Sequence, residues 1–447
     1  MVSIENKRTA SPCPGVEKSA ITIYTSDPSE VYGGIVSETK LNTGSGSNWI
    51  EAVALHWTGG LASASFYLPF RFVRKWNWET YWLVGGFFSW IIAPIFFAWL
   101  LVPDFWHVIS GAGGKVLIWT YIFGVLWGMG GLTFGLTLRY LGIGLGMAIA
   151  LSYCAAFGTL VPPIFAGKLM TLLTQHWGQV ILLGVLVCLA GIAVSGWAGW
   201  SKEQELPPEQ KQKVVKEFNF KKGILVATFS GIMSACFNYG LTAATPIVKA
   251  SKTLLITHHA MPIWDGLPSL VVLLWGGFTT NFVWCLILHF KNKSGGQYVA
   301  PVVGAEADRI VTGLDGPGYT ATPDVVGNVQ PKRVPLLGNY VFSAAAGVIW
   351  YFQFFFYTMG QTKMPKAGKF SGWTLHMASI IIFATLWGVV LHEWKGTSKK
   401  THWIITAGVA TLVLSTLIVG AGNYLKQKEK APPVKTAHVA AVIAHHA

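Results

Sequence analysis

The sequence predicts an all-α integral membrane protein in which ten transmembrane helices form two inverted five-helix repeats. Three observations lead there. Hydrophobic residues make up 52% of the 447-residue chain and charged residues only 12%, about half of the roughly 25% usual in soluble domains. Ten apolar segments are each long enough to cross roughly 30 Å of hydrocarbon. Short motifs also recur at matching places in the two halves. Gly60, Leu61, Ala62, Ser63, Ala64, Ser65 and Phe66 match Gly231, Ile232, Met233, Ser234, Ala235, Cys236 and Phe237, and the run Gly124 to Trp127 matches the run Gly347 to Trp350. Five crossings in each half make the second copy enter the membrane from the opposite side.

The elements follow in order. Residues 1–47 are rich in Ser, Thr, Gly and Pro and are expected to form a disordered polar arm. They hold no apolar core of the length a secretory signal needs. The first repeat occupies 48–198, with segments near 50–70, 79–102, 116–138, 143–165 and 179–198. A charged linker, 199–221, separates it from the second repeat at 222–425. Segments there lie near 222–245, 262–289, 337–360, 372–392 and 403–424, and residues 290–336 form an exposed loop with Gly and Pro concentrated around 313–323. A basic tail, 426–447, ends the chain, and its His438, His445 and His446 read as solvated residues rather than a metal site.

The net charge of +14 does not point to nucleic acid, because the Lys and Arg residues sit between apolar runs, where membrane topology accounts for them. They are denser in the loops after odd-numbered segments, which places those loops in the cytoplasm and the termini outside. Cys154, Cys188, Cys236 and Cys285 lie inside apolar runs without metal-ligand spacing and read as reduced packing residues. Metalloprotease, lipase, P-loop and paired CxxC signatures are absent. Neither catalysis, a metal nor a cofactor is expected.

The stretch from Gly347 to Met377 carries the chemistry. Trp350, Gln353 and Tyr357 fall three and four residues apart, so one helical face holds an indole, an amide and a phenol; Trp373, His376 and Ser379 repeat the pattern on the next helix. His56, Gly60, Ser63 and Tyr67 form a polar stripe on the first helix, and Ser230, Ser234, Asn238 and Thr242 form its counterpart on the sixth. Polar groups this deep in lipid are costly unless they meet each other, a cavity or a ligand. Hydroxyls and amides without fixed charge suit a neutral polyhydroxylated solute, and Trp127, Trp350, Tyr357 and Trp373 offer flat faces for the carbon side of a sugar ring. The competing reading is helix packing through small and polar residues, with the tryptophans as an interfacial belt. His56 and His376 are well embedded, whereas Glu51, Arg139, Asp265, His289 and Glu393 fall near helix ends. Imidazole titrates near neutrality, so His56 and His376 are the candidates for carrying a coupled proton.

The runs ASASFYLPFRFVRKWNWET, FGLTLRYLGIGLGMAIA, FNFKKG, WYFQFFFYTMGQTKMP and WTLHM resemble the bacterial L-rhamnose/proton symporter family of the drug/metabolite transporter superfamily. The likeness extends from about His56 to the end of the tenth segment. It implies a ten-helix carrier of the bacterial inner membrane that brings a small neutral sugar, L-rhamnose, in with a proton. It also adds Asn281 to the candidate sugar contacts Ser63, Tyr67, Trp127, Asn238, Trp350, Gln353, Tyr357 and Trp373. Termini in the cytoplasm follow from the wider superfamily, opposite to the charge count, so both orientations stay open. The chain departs from the family pattern in its N-terminal arm, its 290–336 loop, its basic tail, and in Leu132 and Thr133, where more amide character is expected. The last departure bears on which sugar is carried. A carrier or exporter of another neutral metabolite is the alternative within transport, and a membrane sugar sensor is the alternative of a different class.

Overall fold

The computed structural model describes residues 4–8, 19–23, 48–141, 143–205, 219–300, 302–303, 332–392 and 394–429. The chain divides into two units, Met1–Gly46 and Ser47–Ala447. In the first, within the arm expected to be disordered, β1 (Ile4–Arg8) and β2 (Ser19–Ile23) pair as an antiparallel hairpin in the register Ile4 to Ile23 through Arg8 to Ser19. The rest of the arm, most of the charged linker, residues 304–331 of the long loop, Glu393, the side chain of Arg139 and the tail from 430 with its three histidines lie outside the described residues.

The second unit is built from long helices. They are α1 (Trp49–Ser65), α2 (Trp78–Leu101), α3 (Gly114–Leu141), α4 (Ile143–Phe165), α5 (His176–Glu205), α6 (Phe220–Ala243), α7 (Leu267–Asn292), α8 (Leu336–Lys363), α9 (Gly372–Val390) and α10 (Lys399–Glu429). Among the described residues, nine helices, α2 to α10, are long and apolar enough to cross a membrane. The first expected segment is divided: α1 has 17 residues, and one more turn, Tyr67–Phe70, follows it directly. Proline supplies the break, because Pro69 has no N–H to donate to the carbonyl four residues before it. Helical angles at Phe66 (φ −65°, ψ −22°) keep the two pieces continuous. Two strands, β3 (Val302–Val303) and β4 (Lys332–Arg333), pair at the base of the long loop.

Local sequence explains where helices start and bend. The side chain of Asn48 caps α1 by accepting from the N–H groups of Ile50 and Glu51, and Asn219 caps α6 through Lys222 N–H. In α2 a wider π turn, Phe88–Ile92, precedes Pro94, an adjustment that re-routes backbone bonding next to a residue without a donor. The turn also buries Trp90 in the core.

Helix packing is close and follows a regular plan. α1 packs on α8 and α9, α6 on α3 and α4, α8 on α2, α3 on α7, and α5 on α10. Small residues set the crossings: at Gly347 a Cβ would overlap the backbone of Gly85 on α2, and at Gly124 it would overlap the Leu273 carbonyl and Gly276 on α7. Gly347→Val is therefore expected to destabilise by about 1–3 kcal/mol and lower the unfolding temperature of the detergent-solubilised protein. Gly131→Ala, at a position that opens on free space, should leave that temperature in place; equal behaviour of the two variants would mean the α2–α8 crossing is not tight.

Candidate functional site

Three helices bring the central polar residues together. His56 on α1, Gln353 and Tyr357 on α8, and Trp373 and His376 on α9 are all buried. His56 fits because its neighbours lack side chains: a Cβ at Gly360 or Gly372 would overlap its imidazole. Tyr357 is the hub, its ring centroid 5.1 Å from His56, 5.3 Å from His376 and 5.8 Å from Trp373, each approached edge-on. Its hydroxyl donates to Asn238 Oδ1 on α6 at 3.3 Å and accepts from Gln361 Nε2 at 2.7 Å. Asn238 Nδ2 in turn donates to the Gly158 carbonyl on α4 at 2.7 Å, and Trp373 Nε1 donates to the Cys154 carbonyl at 3.1 Å. The hub thus joins helices from both halves of the sequence.

A ladder of rings leads away from it. Phe237 stacks on Phe354 at 3.7 Å and lies 5.1 Å from Trp127, which meets Trp350 at 5.6 Å. Trp90, set inward by the wide turn of α2, contacts Trp350 at 5.6 Å and Trp127 at 6.2 Å. Asn281 on α7 accepts from Trp82 Nε1 at 3.1 Å and donates to the Gly277 carbonyl at 2.9 Å. Tyr67 lies against Phe66, with ring centroids 4.0 Å apart. The rings are in contact, and the gap beside Trp350, bounded by Phe66, Phe70, Trp82 and Trp90, is a slit of about 10 Å³, room for no more than a water. A larger cavity of about 590 Å³ lies on the flank of the bundle, where α4 and α5 line it with Tyr153, Trp197 and Trp200. It is mostly apolar and lies apart from the polar hub, where lipid rather than sugar chemistry applies.

The predicted residues therefore form two tiers. His56, Asn238, Gln353, Tyr357, Trp373 and His376 make the polar tier; Trp127 and Trp350 make the aromatic tier next to it. Ser63, Tyr67 and Asn281 stand off from the histidines. On α1, Ser63 is about 10 Å and Tyr67 about 16 Å along the axis from His56 at the usual rise per residue. Phe237, Phe354, Gln361 and Trp90 belong to the site although the sequence did not single them out. Gln361 is the next step of the Trp350, Gln353, Tyr357 stripe and was legible there. Trp90 owes its place to the π turn, which no periodic pattern signals.

Several polar atoms in the polar tier lack partners. His56 Nδ1 lies 2.7 Å from the Ala52 carbonyl, which assigns the proton to Nδ1 and leaves Nε2 as an acceptor. That Nε2, both nitrogens of His376 and Nε2 of Gln353 are buried without a hydrogen-bond partner. Each such atom costs about 1–3 kcal/mol, a cost that a ligand with matching hydroxyls would remove. The hub carries no fixed charge; the ion pair Lys363 Nζ to Glu51 Oε2, 2.7 Å, stands outside it where α8 ends beside the start of α1.

Membrane-length helices around an uncharged core of rings, amides and imidazoles define a multi-pass integral membrane protein with a buried polar site. Residues 47–296 and 326–424 match the family of the L-rhamnose-proton symport protein (RhaT), and the chain belongs to that family. It is 35% identical over 378 residues to the L-rhamnose-proton symporter of Mannheimia succiniciproducens, spanning 84% of this chain and 99% of the relative. It is likewise 35% identical over 373 residues to the L-rhamnose-proton symporter of Yersinia pestis strain Pestoides F, spanning 83% of this chain and 98% of the relative. The unmatched interval between the two family segments falls inside the 290–336 loop.

Tyr357→Phe removes the hydroxyl that bridges Asn238 and Gln361, and is expected to lower stability by about 1–3 kcal/mol in thermal unfolding. Adding Gln361→Leu should recover part of the loss, since removing both partners costs less than stranding one. An unchanged unfolding temperature for Tyr357→Phe would show that the hub is not held by this hydroxyl.

Proposed function

We propose that the protein is a secondary carrier that imports L-rhamnose, or a related deoxy-sugar, by proton symport across the bacterial cytoplasmic membrane. The observation that carries this reading is identity over nearly the full length of relatives named L-rhamnose-proton symporter. The site's chemistry agrees with it. A neutral sugar asks for donors and acceptors without fixed charge and for flat apolar faces. The unpartnered amide nitrogen of Gln353, the bonded pair Tyr357 and Asn238, and the indoles of Trp127, Trp350 and Trp373 supply both. Ser63, Tyr67 and Asn281 are proposed as further sugar contacts.

The carrier reading includes ten crossings in two inverted five-helix repeats, with α1 and its extra turn as the first. Packing supports the repeat. Exchanging each helix of the first half for its counterpart in the second turns the α1–α8 contact into α6–α3, α1–α9 into α6–α4, and α8–α2 into α3–α7, and all of these contacts occur. The matched glycines obey the same exchange: Gly347 meets α2 where Gly124 meets α7, and Gly60 meets α9 where Gly231 meets α4. The matched tryptophans, Trp127 and Trp350, face each other across the join. Membership in the drug/metabolite transporter superfamily accords with this plan. Alternating access then requires the two halves to rock about the polar tier, with the ring ladder parting to admit the sugar.

His56 and His376 are the proposed carriers of the coupled proton within this tier. Proteoliposomes containing the protein should accumulate labelled L-rhamnose when an inward pH gradient is imposed. His56→Gln and His376→Gln should keep sugar exchange but lose accumulation, and if both variants still accumulate, the histidines do not carry the proton. Gln353→Leu is expected to raise the half-saturating sugar concentration roughly 5–100-fold, the equivalent of one lost buried hydrogen bond; an unchanged value removes Gln353 from the sugar site.

A further inference from the structure

A second polar centre lies at the opposite end of the bundle from Lys363 and Glu51. Glu79, in the first turn of α2, is only 2% exposed. Three neutral side chains donate to one of its oxygens, Oε1: Ser294 Oγ at 2.5 Å, Asn292 Nδ2 at 3.0 Å and Asn77 Nδ2 at 3.2 Å. Asn292 ends α7 and Ser294 follows it, so the carboxylate ties the start of α2 to the end of α7. Gln297 extends the tie by accepting from Asn77 N–H and Thr80 Oγ1, each at 2.8 Å.

The hydrogen bonds run in one direction. Ser294 donates to Glu79, so its oxygen is free to accept from His289 Nδ1, 2.8 Å away. His289 Nε2 is then the acceptor for the Tyr298 hydroxyl at 2.9 Å. Tyr298 and His289 are half-buried while Ser294 and Glu79 are buried, so the chain leads from the protein surface inward to a carboxylate. A proton arriving from water at the Tyr298 oxygen can displace that residue's own proton to His289 Nε2. His289 passes its Nδ1 proton to Ser294, and Ser294 passes its proton to Glu79. One proton enters, Glu79 gains one, and the imidazole changes tautomer.

The consequence for packing follows from donor and acceptor count. An ionised carboxylate accepts all three bonds; once the relay has run, the Ser294 bond survives in reverse, with Glu79 donating, while the amides of Asn77 and Asn292 face an oxygen that now carries a proton. The α2–α7 tie is therefore tight when Glu79 is ionised and loosened when it is protonated. The same two helix faces reach the ring ladder. On α2, Trp82 lies one turn beyond Glu79 and its ring is 6.1 Å from that of Trp90, and on α7, Asn281, Cys285 and His289 lie four apart. Trp82 bonds Asn281, and Trp90 contacts both Trp127 and Trp350.

We infer that Glu79, fed through Tyr298, His289 and Ser294, is a proton-sensitive latch that holds the α2–α7 face of the carrier shut and releases it on protonation. Its part in sugar transport rests on the proposed function; its opening with acid does not. The other titratable and charged groups around it are Cys285 on α7, within electrostatic reach of the carboxylate, Tyr340 on α8, whose hydroxyl donates to the Tyr298 carbonyl at 3.0 Å, the exposed Lys291 and Lys293 beyond His289, and Arg74, whose backbone is held by Asn339.

Cys285 is fully buried beside the latch, and Cys188 is fully buried on α5 away from it. Alkylation of both by N-ethylmaleimide in native membranes, read by peptide mass spectrometry, needs no substrate, and the ratio of the two rates cancels the common pH dependence of thiol chemistry. The ratio for Cys285 over Cys188 is expected to rise severalfold as pH falls from about 7 to about 4, into the range where a carboxylate loads. Glu79→Gln should hold the ratio high at every pH, and Ser294→Ala should shift its rise to a different pH. A flat ratio in the unsubstituted protein overturns the latch, and this reading stands even if Glu79→Gln fails to fold. In proteoliposomes, folded Glu79→Gln should exchange L-rhamnose but not accumulate it under a pH gradient, and accumulation at the unsubstituted level also overturns the proposal. If the unsubstituted protein moves no sugar, the carrier reading fails while the cysteine ratio still decides the latch.

Discussion

In hydrocarbon no solvent is at hand to satisfy a buried polar atom, and that constraint organises this molecule. Each polar side chain in the bundle finds a partner, on its own helix or another, or is left short. Asn238, Tyr357, Gln361 and Trp373 are in the first group, and their bonds reach α4 and α6 as well as α8 and α9. His376, Gln353 and one nitrogen of His56 are in the second. A soluble protein would hydrate such atoms. Other unpartnered atoms, such as Trp275 Nε1 and Ser343 Oγ, are scattered through the bundle; what marks this region is that three such side chains stand together in it, at a desolvation cost of several kcal/mol.

The aromatic tier answers a different need. Rings in edge and stacked contact fill the space beside the polar tier, and they do so with few groups that compete for its hydrogen bonds. Trp127 against Phe237 and Trp127 against Trp350 are contacts between helices of opposite halves, so these rings sit on the join between the halves. The same rings keep water out, leaving beside Trp350 a gap of only about 10 Å³.

Much of this was legible in the residues. Apolar run length and the scarcity of charge gave the helices, and the long spans fall where the hydropathy pattern puts them. The three-and-four spacing of Gln353 and Tyr357 and the embedded positions of His56 and His376 gave the core of the polar tier, because helical periodicity alone decides which residues share a face. What stayed hidden depends on backbone irregularity and on third dimensions. Trp90 is turned inward by a π turn, Ser63 and Tyr67 share a stripe with His56 but lie too far along the axis to meet it, and Asn281 is occupied by Trp82. Glu79 was hidden because a carboxylate near a helix end reads as a surface residue until the turn at Ser294 is seen folding back over it.

The glycine crossings carry one more consequence. Where Gly347 lies on Gly85 and Gly124 on Gly276, main chain rests on main chain with no interlocking side chains between. Such junctions work like the smooth pin of a pair of shears: neighbouring rods can swing without any knob having to leave its hole. Each pin sets a helix from one half of the sequence against a helix from the other, so both lie on the join where any swing of the halves would have to turn.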